Sequence, residues 1–303
     1  MTLTRLRTFL AVVETGSVKG AARRLVVTES AVSASLVALQ RSLGLRLVRP
    51  AGRGLELTEA GEVYAGYVRQ ALGLLEAGRA AAAGEADPEG GELRIAAVTS
   101  AGEQLVPRFL HGFRQAHPRA RIGLRIGNRA HVHRLLDDRH VDVVIGGRPP
   151  RGRAVLAVRP NELVVVAPGG GAAPPPRTAA PWEERRGWLA EQTWLLREPG
   201  SGTRATAEVL LDELGISPPT LTIGSGAAVR EGVIAGLGVS LMSRDAVARD
   251  LASATMAVLG TPQTPLRRDW HLVAHPGRLP ATAALFVRYV IMCGEFTEAS
   301  RKH

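Results

Sequence analysis

The chain has 303 residues, 45% hydrophobic and 22% charged, with 34 Gly and 19 Pro dispersed along it and one cysteine, Cys293. This is the composition of a globular chain of two or three domains, and it excludes a collagen-like, disulfide-stapled or wholly disordered one. No apolar run approaches the roughly 18 residues of a membrane span, and charge interrupts MTLTRLRTFLAVVETGS where a signal peptide would stay apolar, so a reducing cytoplasm is the expected compartment. The net charge of +10 is unevenly placed: residues 1–55 hold nine Lys and Arg against two Glu, residues 56–89 are acidic at −5, and residues 90–303 spread +8 over a much longer stretch. Only the head has the charge density of a phosphate-binding module.

Leu3, Leu6, Phe9, Leu10 and Val13 recur at helical spacing and stop at Gly16, which predicts a first helix. Ser17 caps a second, over about 18–25, that buries Ala21, Ala22 and Leu25 and turns Lys19, Arg23 and Arg24 outward. Thr28 is placed to cap a third, running to about Leu43 before Gly44, with Val32, Leu36, Leu39 and Leu43 as its apolar stripe. Two short helices joined by a tight connection describe a helix-turn-helix, whose second helix presents Glu29, Ser30, Ser33 and Ala34 to a major groove. Leu45 to Val48, a turn at residues 51–54, and Leu55 to Leu57 read as a two-stranded wing with arginines at its tip. The plainer alternative is a three-helix packing unit whose charges only solvate it, and the charge density argues against that.

Thr58 caps a long helix from Glu59 to about Ala83. Ala60, Tyr64, Tyr67, Ala71, Leu74, Gly78 and Ala81 follow a coiled-coil spacing, so a partner helix is expected; a helix lying along its own domain through Val68, Leu72 and Leu75 is the alternative. Residues 84–91, GEADPEGG, read as a hinge. Beyond it, strand-like runs at Leu93 to Val98, Arg121 to Ile126 and Val141 to Ile145 alternate with helical runs at about Gln104 to His117 and His131 to Asp138. A second series has strands near 163–166, 194–196, 221–223 and 239–242 and helices near 203–214 and 228–235, which implies two α/β lobes. GGGAAPPPR at 169–177 reads as a surface loop, residues 270–274 as a strand and residues 282–292 as a helix.

The head, LRTFLAVVETGSVKGAARRLVVTESAVSASLVALQRSLGLRLVRPAGRGLELTEAGE at residues 6–62, resembles the winged helix-turn-helix of the LysR-type transcriptional regulators. ELRIAAVTSAGEQLVPRFLHGFRQAHP, VDVVIGG, ELVVVAP, WLLREPGSGTR and GVIAGLGVSLMS resemble the effector domain of that family, so the likeness spans nearly the whole chain. LLREPGSGTR and PLRRDWHLVAH look closest to the branch of carbon dioxide fixation and sulfur assimilation regulators. The resemblance implies an N-terminal winged helix-turn-helix (1–58), a linker and dimerisation helix with a hinge (59–90), and an α/β effector domain (91–303). That domain would have two type-2 periplasmic-binding-protein-like lobes, 91–161 with 267–303, and 162–266. The expected product is a sequence-specific regulator, not an enzyme, that binds an inverted repeat in double-stranded DNA as a homodimer or homotetramer. A small, anionic effector would sit between the lobes, and RNA polymerase is a further expected partner.

Carried onto this sequence, the DNA-facing set is Arg23, Thr28, Glu29, Ser30, Ser33, Ser35, Arg49 and Arg53, and the effector set is Thr99, Ser100, Ser201, Gly202, Thr203, Arg204 and Ser225. Hydroxyls and free N–H groups at helix starts suit an anion, although each such residue is also explained as a cap or tight turn. Glu29 stands where the family usually has glutamine, Ala34 where a longer polar residue is common, and Gly226 where asparagine is frequent. Glutamate accepts from cytosine N4 but repels phosphate, so base preference is expected to differ from that of relatives.

The rival is a solute-binding or enzymatic α/β module with a helical head that does not bind DNA. It lacks support: Ser201 has no nucleophile-elbow glycine two residues before it. His131, His133, Asp137, Asp138 and His140 alternate between helix faces and read as a solvated surface, so no metal is expected. Gly146-Gly147-Arg148 lacks a dinucleotide fingerprint. No cofactor is expected beyond the effector, and Cys293 reads as a buried small hydrophobe.

Overall fold

The computed structural model describes residues 2–52, 54–170 and 180–299. Arg53 and most of the Gly- and Pro-rich loop, residues 171–177, lie outside the described residues. The chain divides into two compact units, one of residues 1–80 with 137–140 and one of residues 81–136 with 141–303.

The first unit is built from α1 (Leu3–Thr15), α2 (Val18–Leu25), α3 (Glu29–Leu43), the hairpin β1 (Val48–Ala51) and β2 (Gly54–Leu57), and the start of α4 (Glu59–Ala86). Gly16 and Gly44 take left-handed φ of 65° and 66° and close α1 and α3, where their missing Cβ removes the steric cost. Phe9, Val12, Ala21, Val32, Leu39 and Leu47 form the buried core. The first wing strand begins at Val48 rather than Leu45, because residues 45–47 are used differently. The Gln40 side-chain oxygen accepts from Leu47 N at 2.7 Å and Val48 N at 3.3 Å, and the Leu47 carbonyl accepts from Thr58 N at 3.1 Å. That carbonyl also lies 1.9 Å from where a Cβ on Gly61 would stand, so only glycine fits there.

Along α4 the inner face is Ala65, Val68 and Leu72, with Tyr64 against Phe9 at 5.8 Å between ring centroids. Of the expected seam, Tyr64 therefore belongs to the head's own core, while Tyr67, Ala71, Leu74 and Gly78 are exposed. Val63, at the same spacing before Tyr67, is exposed too. The helix thus carries two apolar stripes, one used inside the unit and one facing outward.

Between α2 and α3 the chain turns at Val26, which has a φ of 56° and is 90% exposed. A β-branched residue there carries the left-handed penalty with no burial in return. Val26→Gly is expected to stabilise the first unit by about 1 kcal/mol, read as a higher melting midpoint; an unchanged or lower midpoint would show the turn to be unstrained.

The second unit continues with β3 (Glu92–Val98), α5 (Thr99–Gln104), α6 (Val106–Ala116), β4 (Arg121–Gly127), α7 (Arg129–Asp137), β5 (Val143–Gly146), β6 (Ala154–Arg159), β7 (Glu162–Pro168) and α8 (Trp182–Glu191). Then come β8 (Trp194–Arg197), α9 (Gly202–Leu214), β9 (Thr220–Ile223), α10 (Gly226–Ile234), β10 (Ser240–Ser243), α11 (Arg244–Ala252), β11 (Met256–Val258), β12 (Leu266–Arg267), β13 (Trp270–Ala274), α12 (Ala281–Met292) and β14 (Thr297–Glu298). Residues 87–91 are tied into this unit: Asp87 pairs with Arg119 at 2.9 Å and Thr282 donates to the Pro88 carbonyl at 2.8 Å.

One sheet has the order β14-β6-β13-β5-β3-β4, with β3 parallel to β4 and β5 and β13 antiparallel to β5 and β6. The other centres on β7, with β10, β11 and β12 antiparallel to it, and β8 and β9 pair in parallel beside it. The helix expected over about 104–117 is α6, over 106–116, and a further short helix that the pattern does not announce, α5, starts directly off β3 at Thr99 and ends before Leu105. Residues 154–159, for which the sequence pattern predicts no element, are β6 inside the first sheet. Cys293 is exposed rather than buried, since α12 ends at Met292 and the chain turns away at Gly294.

Candidate functional site

In the first unit, Thr28 caps α3 by accepting from Ala31 N at 3.2 Å, and Ser30 donates to the Thr28 hydroxyl at 3.4 Å. Thr28, Glu29, Ser30 and Ser33 are exposed together at the start of α3. Glu29, in the first helical turn, complements the positive end of the helix dipole. Ser35 is half-buried with its hydroxyl enclosed and, among the described residues, without a hydrogen bond, so it faces inward more than its neighbours do. Arg23 is exposed on α2, while Arg49 is paired across the wing with Glu56 at 2.5 Å, which offsets part of its charge.

In the second unit, the carboxyl ends of β3 and β8 face one another over a cleft of about 360 Å³. Thr99, Ser100, Ser201, Gly202 and Thr203 are brought together around it. Ser201 is buried and caps α9. The side chain of Arg204 is engaged elsewhere: it donates to Glu208 at 2.8 Å, to the Arg197 carbonyl at 3.0 Å and to Thr222 at 3.2 Å. It lines an outer groove, not the cleft. Ser225 caps α10 by accepting from Ala228 N and does not line the cleft.

The sequence reading missed the residues that set the cleft's electrostatics. Arg129, Arg148, Arg197 and Arg268 all line it, and no Asp or Glu does so among the described residues. Arg197 is only 9% exposed. Its Nε and Nη2 donate to Glu198 at 2.8 and 3.0 Å, and Nη2 also reaches Thr99 on the other lobe at 3.2 Å. Burial pushes the Glu198 carboxyl up, but the hydrogen bond and charge of Arg197, a backbone hydrogen bond and Asn128 outweigh it, and the group is held below the ordinary carboxylate range. With its folded pKa lowered, the pair is fully present at neutral pH and is lost only as acid protonates Glu198. A second contact across the cleft runs from Ala130 N to the Gly200 carbonyl at 3.4 Å. Arg268 donates to Thr206 at 3.0 Å, and Asn161 joins the lobe crossovers by donating to the Arg268 carbonyl at 2.9 Å and accepting from Ser243 at 2.6 Å. The signal available in sequence was WLLRE: a strand ending in an ion-pairing dipeptide at the edge where α/β sheets bind ligands.

A helix-turn-helix with a wing, joined to an α/β unit with a cationic cleft, defines a ligand-responsive DNA-binding protein. Residues 3–62 match the bacterial regulatory helix-turn-helix family of LysR proteins, and residues 86–292 match the LysR substrate binding domain. The chain belongs to the LysR family of transcriptional regulators. Its relatives include the HTH-type transcriptional regulator CbbR of Rhodospirillum rubrum, 32% identical over 93% of both chains. Full-length CbnR in complex with its target DNA has the same fold, with a TM-score of 0.66 at 21% identity over 96% of this chain and 99% of that one. The regulatory domain of CcmR from Synechocystis PCC6803, solved in complex with 2-PG, aligns with a TM-score of 0.58 at 25% identity, covering 67% of this chain and 96% of that one. The relatives include RuBisCO operon regulators, which matches the carbon dioxide fixation branch.

Proposed function

We propose that the effector of this regulator is a small metabolite with more than one negative charge, bound in the cleft lined by Thr99, Ser100, Ser201, Gly202 and Thr203. The observation that carries this is the set of four arginines without a lining carboxylate; guanidinium groups in a partly dry cleft select oxyanions by paired, charge-assisted hydrogen bonds. The relative that binds 2-PG makes that compound the first to test. Binding would replace contacts now made across the cleft by Arg197 and shift the closure of the two lobes, a change of population rather than a catalysed step.

The DNA-facing set is Arg23, Thr28, Glu29, Ser30, Ser33, Arg49 and Arg53, with Ser35 at its margin, acting on an inverted repeat. Self-association through the outward stripe of α4 fits the exposed Val63, Tyr67, Leu74 and Leu75, and a dimer matches two half-sites. RNA polymerase is the partner such a complex would act on.

Isothermal titration of the full-length protein with 2-PG tests the cleft. The expected result is saturable binding, about tenfold weaker in Arg148→Ala and in Arg268→Ala, as befits losing one charge-assisted contact, and none for glycerol. Unchanged affinity in both variants would remove the arginines from the site.

A further inference from the structure

Arg197 stands between the main cleft and a second, smaller compartment of about 90 Å³. Most of the surface this compartment offers is apolar, from Val229, Leu241, Met242 and Ala246, and the second cation on its lining, Arg230, is already paired with Asp250 and Glu231. Nε and Nη2 of Arg197 are taken up by Glu198 and Thr99, but Nη1 makes no hydrogen bond among the described residues. It faces the compartment at Gly226, where a Cβ would lie 3.0 Å from it. An exposed arginine would swing aside from such a contact. Arg197 is buried and clamped on its other edge, so yielding there would break the Thr99 and Glu198 bonds. Gly226 is thus what lets the guanidinium lie with one edge on each compartment.

A guanidinium nitrogen that opens on a mostly apolar compartment, with no acceptor among the described residues, is placed to donate a charge-assisted hydrogen bond to an oxyanion. We propose that the smaller compartment is a second ligand site, which takes the carboxylate of a short aliphatic monocarboxylate on Arg197 Nη1 and the alkyl chain on the Val229 and Met242 wall. The volume admits only a few heavy atoms, and the apolar walls disfavour a strongly hydrated phosphate. Glu103, exposed near its mouth with its Oε2 3.8 Å from the Gly226 Cβ position, opposes a second negative charge and so favours a monoanion. Because both compartments draw on one guanidinium, occupancy of either would alter affinity for the other, reciprocally.

The test is calorimetric titration of the full-length protein with butyrate at ionic strength held constant with chloride. Wild type is expected to bind one butyrate per chain saturably. Gly226→Ala, which crowds Nη1, and Ala246→Leu, which adds bulk to the lining, are each expected to weaken binding at least tenfold, with thermal melts showing both variants folded. Absence of saturable binding by wild type would overturn the proposal. So would full retention in Ala246→Leu and Gly226→Ala. A loss in Arg148→Ala as deep as in those variants would put the carboxylate in the main cleft, and would overturn the second site while leaving the cleft reading intact.

Discussion

Arg197→Ala is expected to weaken anion binding in the main cleft about a hundredfold, roughly 2.7 kcal/mol, and to abolish any effect of the anion on DNA binding. Two losses add. The substitution removes a buried, forked donor, and hydrogen bonds to charged groups are worth about 1.5 to 3 kcal/mol each. It also strips Glu198 of the cation that holds its carboxyl low, so a negative charge, or a carboxyl that burial pushes up, is left beside the cleft. The bridge to Thr99 goes as well, which loosens one lobe from the other. Arg197→Lys keeps the charge but not the fork and should recover only part of the affinity. DNA binding without effector should survive both substitutions. A threefold change or less in Arg197→Ala would mean that this guanidinium is a structural strut and not a ligand group.

The largest expected change in stability is at Asp142. Its carboxylate is nearly fully buried and accepts from Arg94 N at 3.0 Å, Nε at 3.3 Å and Nη2 at 2.5 Å, while Asp142 N donates back to the Arg94 carbonyl at 2.8 Å. These bonds join β3 to the turn entering β5, the pair of strands that delivers Thr99 to the cleft. Removing one partner of a buried ion pair costs about 3 to 5 kcal/mol. Asp142→Ala should therefore lower the melting midpoint of the α/β unit by roughly 6 to 20 °C for a unit of this size. Asp142→Asn, which still accepts from the Arg94 N–H, should lose less. A midpoint moved by under about 2 °C in the alanine variant would show the pair to be dispensable.

Local chemistry made the head legible. Ser17, Thr28, Gly16 and Gly44 mark helix ends by caps and left-handed turns, and those signals depend on a few neighbouring residues. The wing starts three residues later than its pattern suggests because side chains seven and twelve residues away, Gln40 and Thr58, bond the backbone of Leu47 and Arg46. In the α/β unit, the strands buried on both faces were readable as apolar runs. By contrast, β6 was not, since AVLAVR is half-buried and ends in arginine, nor was α11, where charged residues surround the buried Val247. The cleft was half legible. Hydroxyls at helix starts announce themselves, whereas a buried arginine at the end of a strand reads as surface until its partners are known, and Thr99 lies 98 residues away from Arg197. Ser225 and Arg204 carry the right chemistry, but the one is spent on a cap and the other on Glu208 and Thr222.

On the proposed function, one chain reads a DNA site through its head and answers an anion through its α/β cleft. Footprinting of the full-length protein on its own upstream intergenic DNA, over a range of salt and with and without 2-PG, checks both halves at once. Protection of an interrupted inverted repeat that weakens steeply with salt is expected, with a pattern that 2-PG changes for the wild type and not for Arg197→Ala. Weak protection spread evenly along the DNA, indifferent to sequence and to the anion, would contradict it.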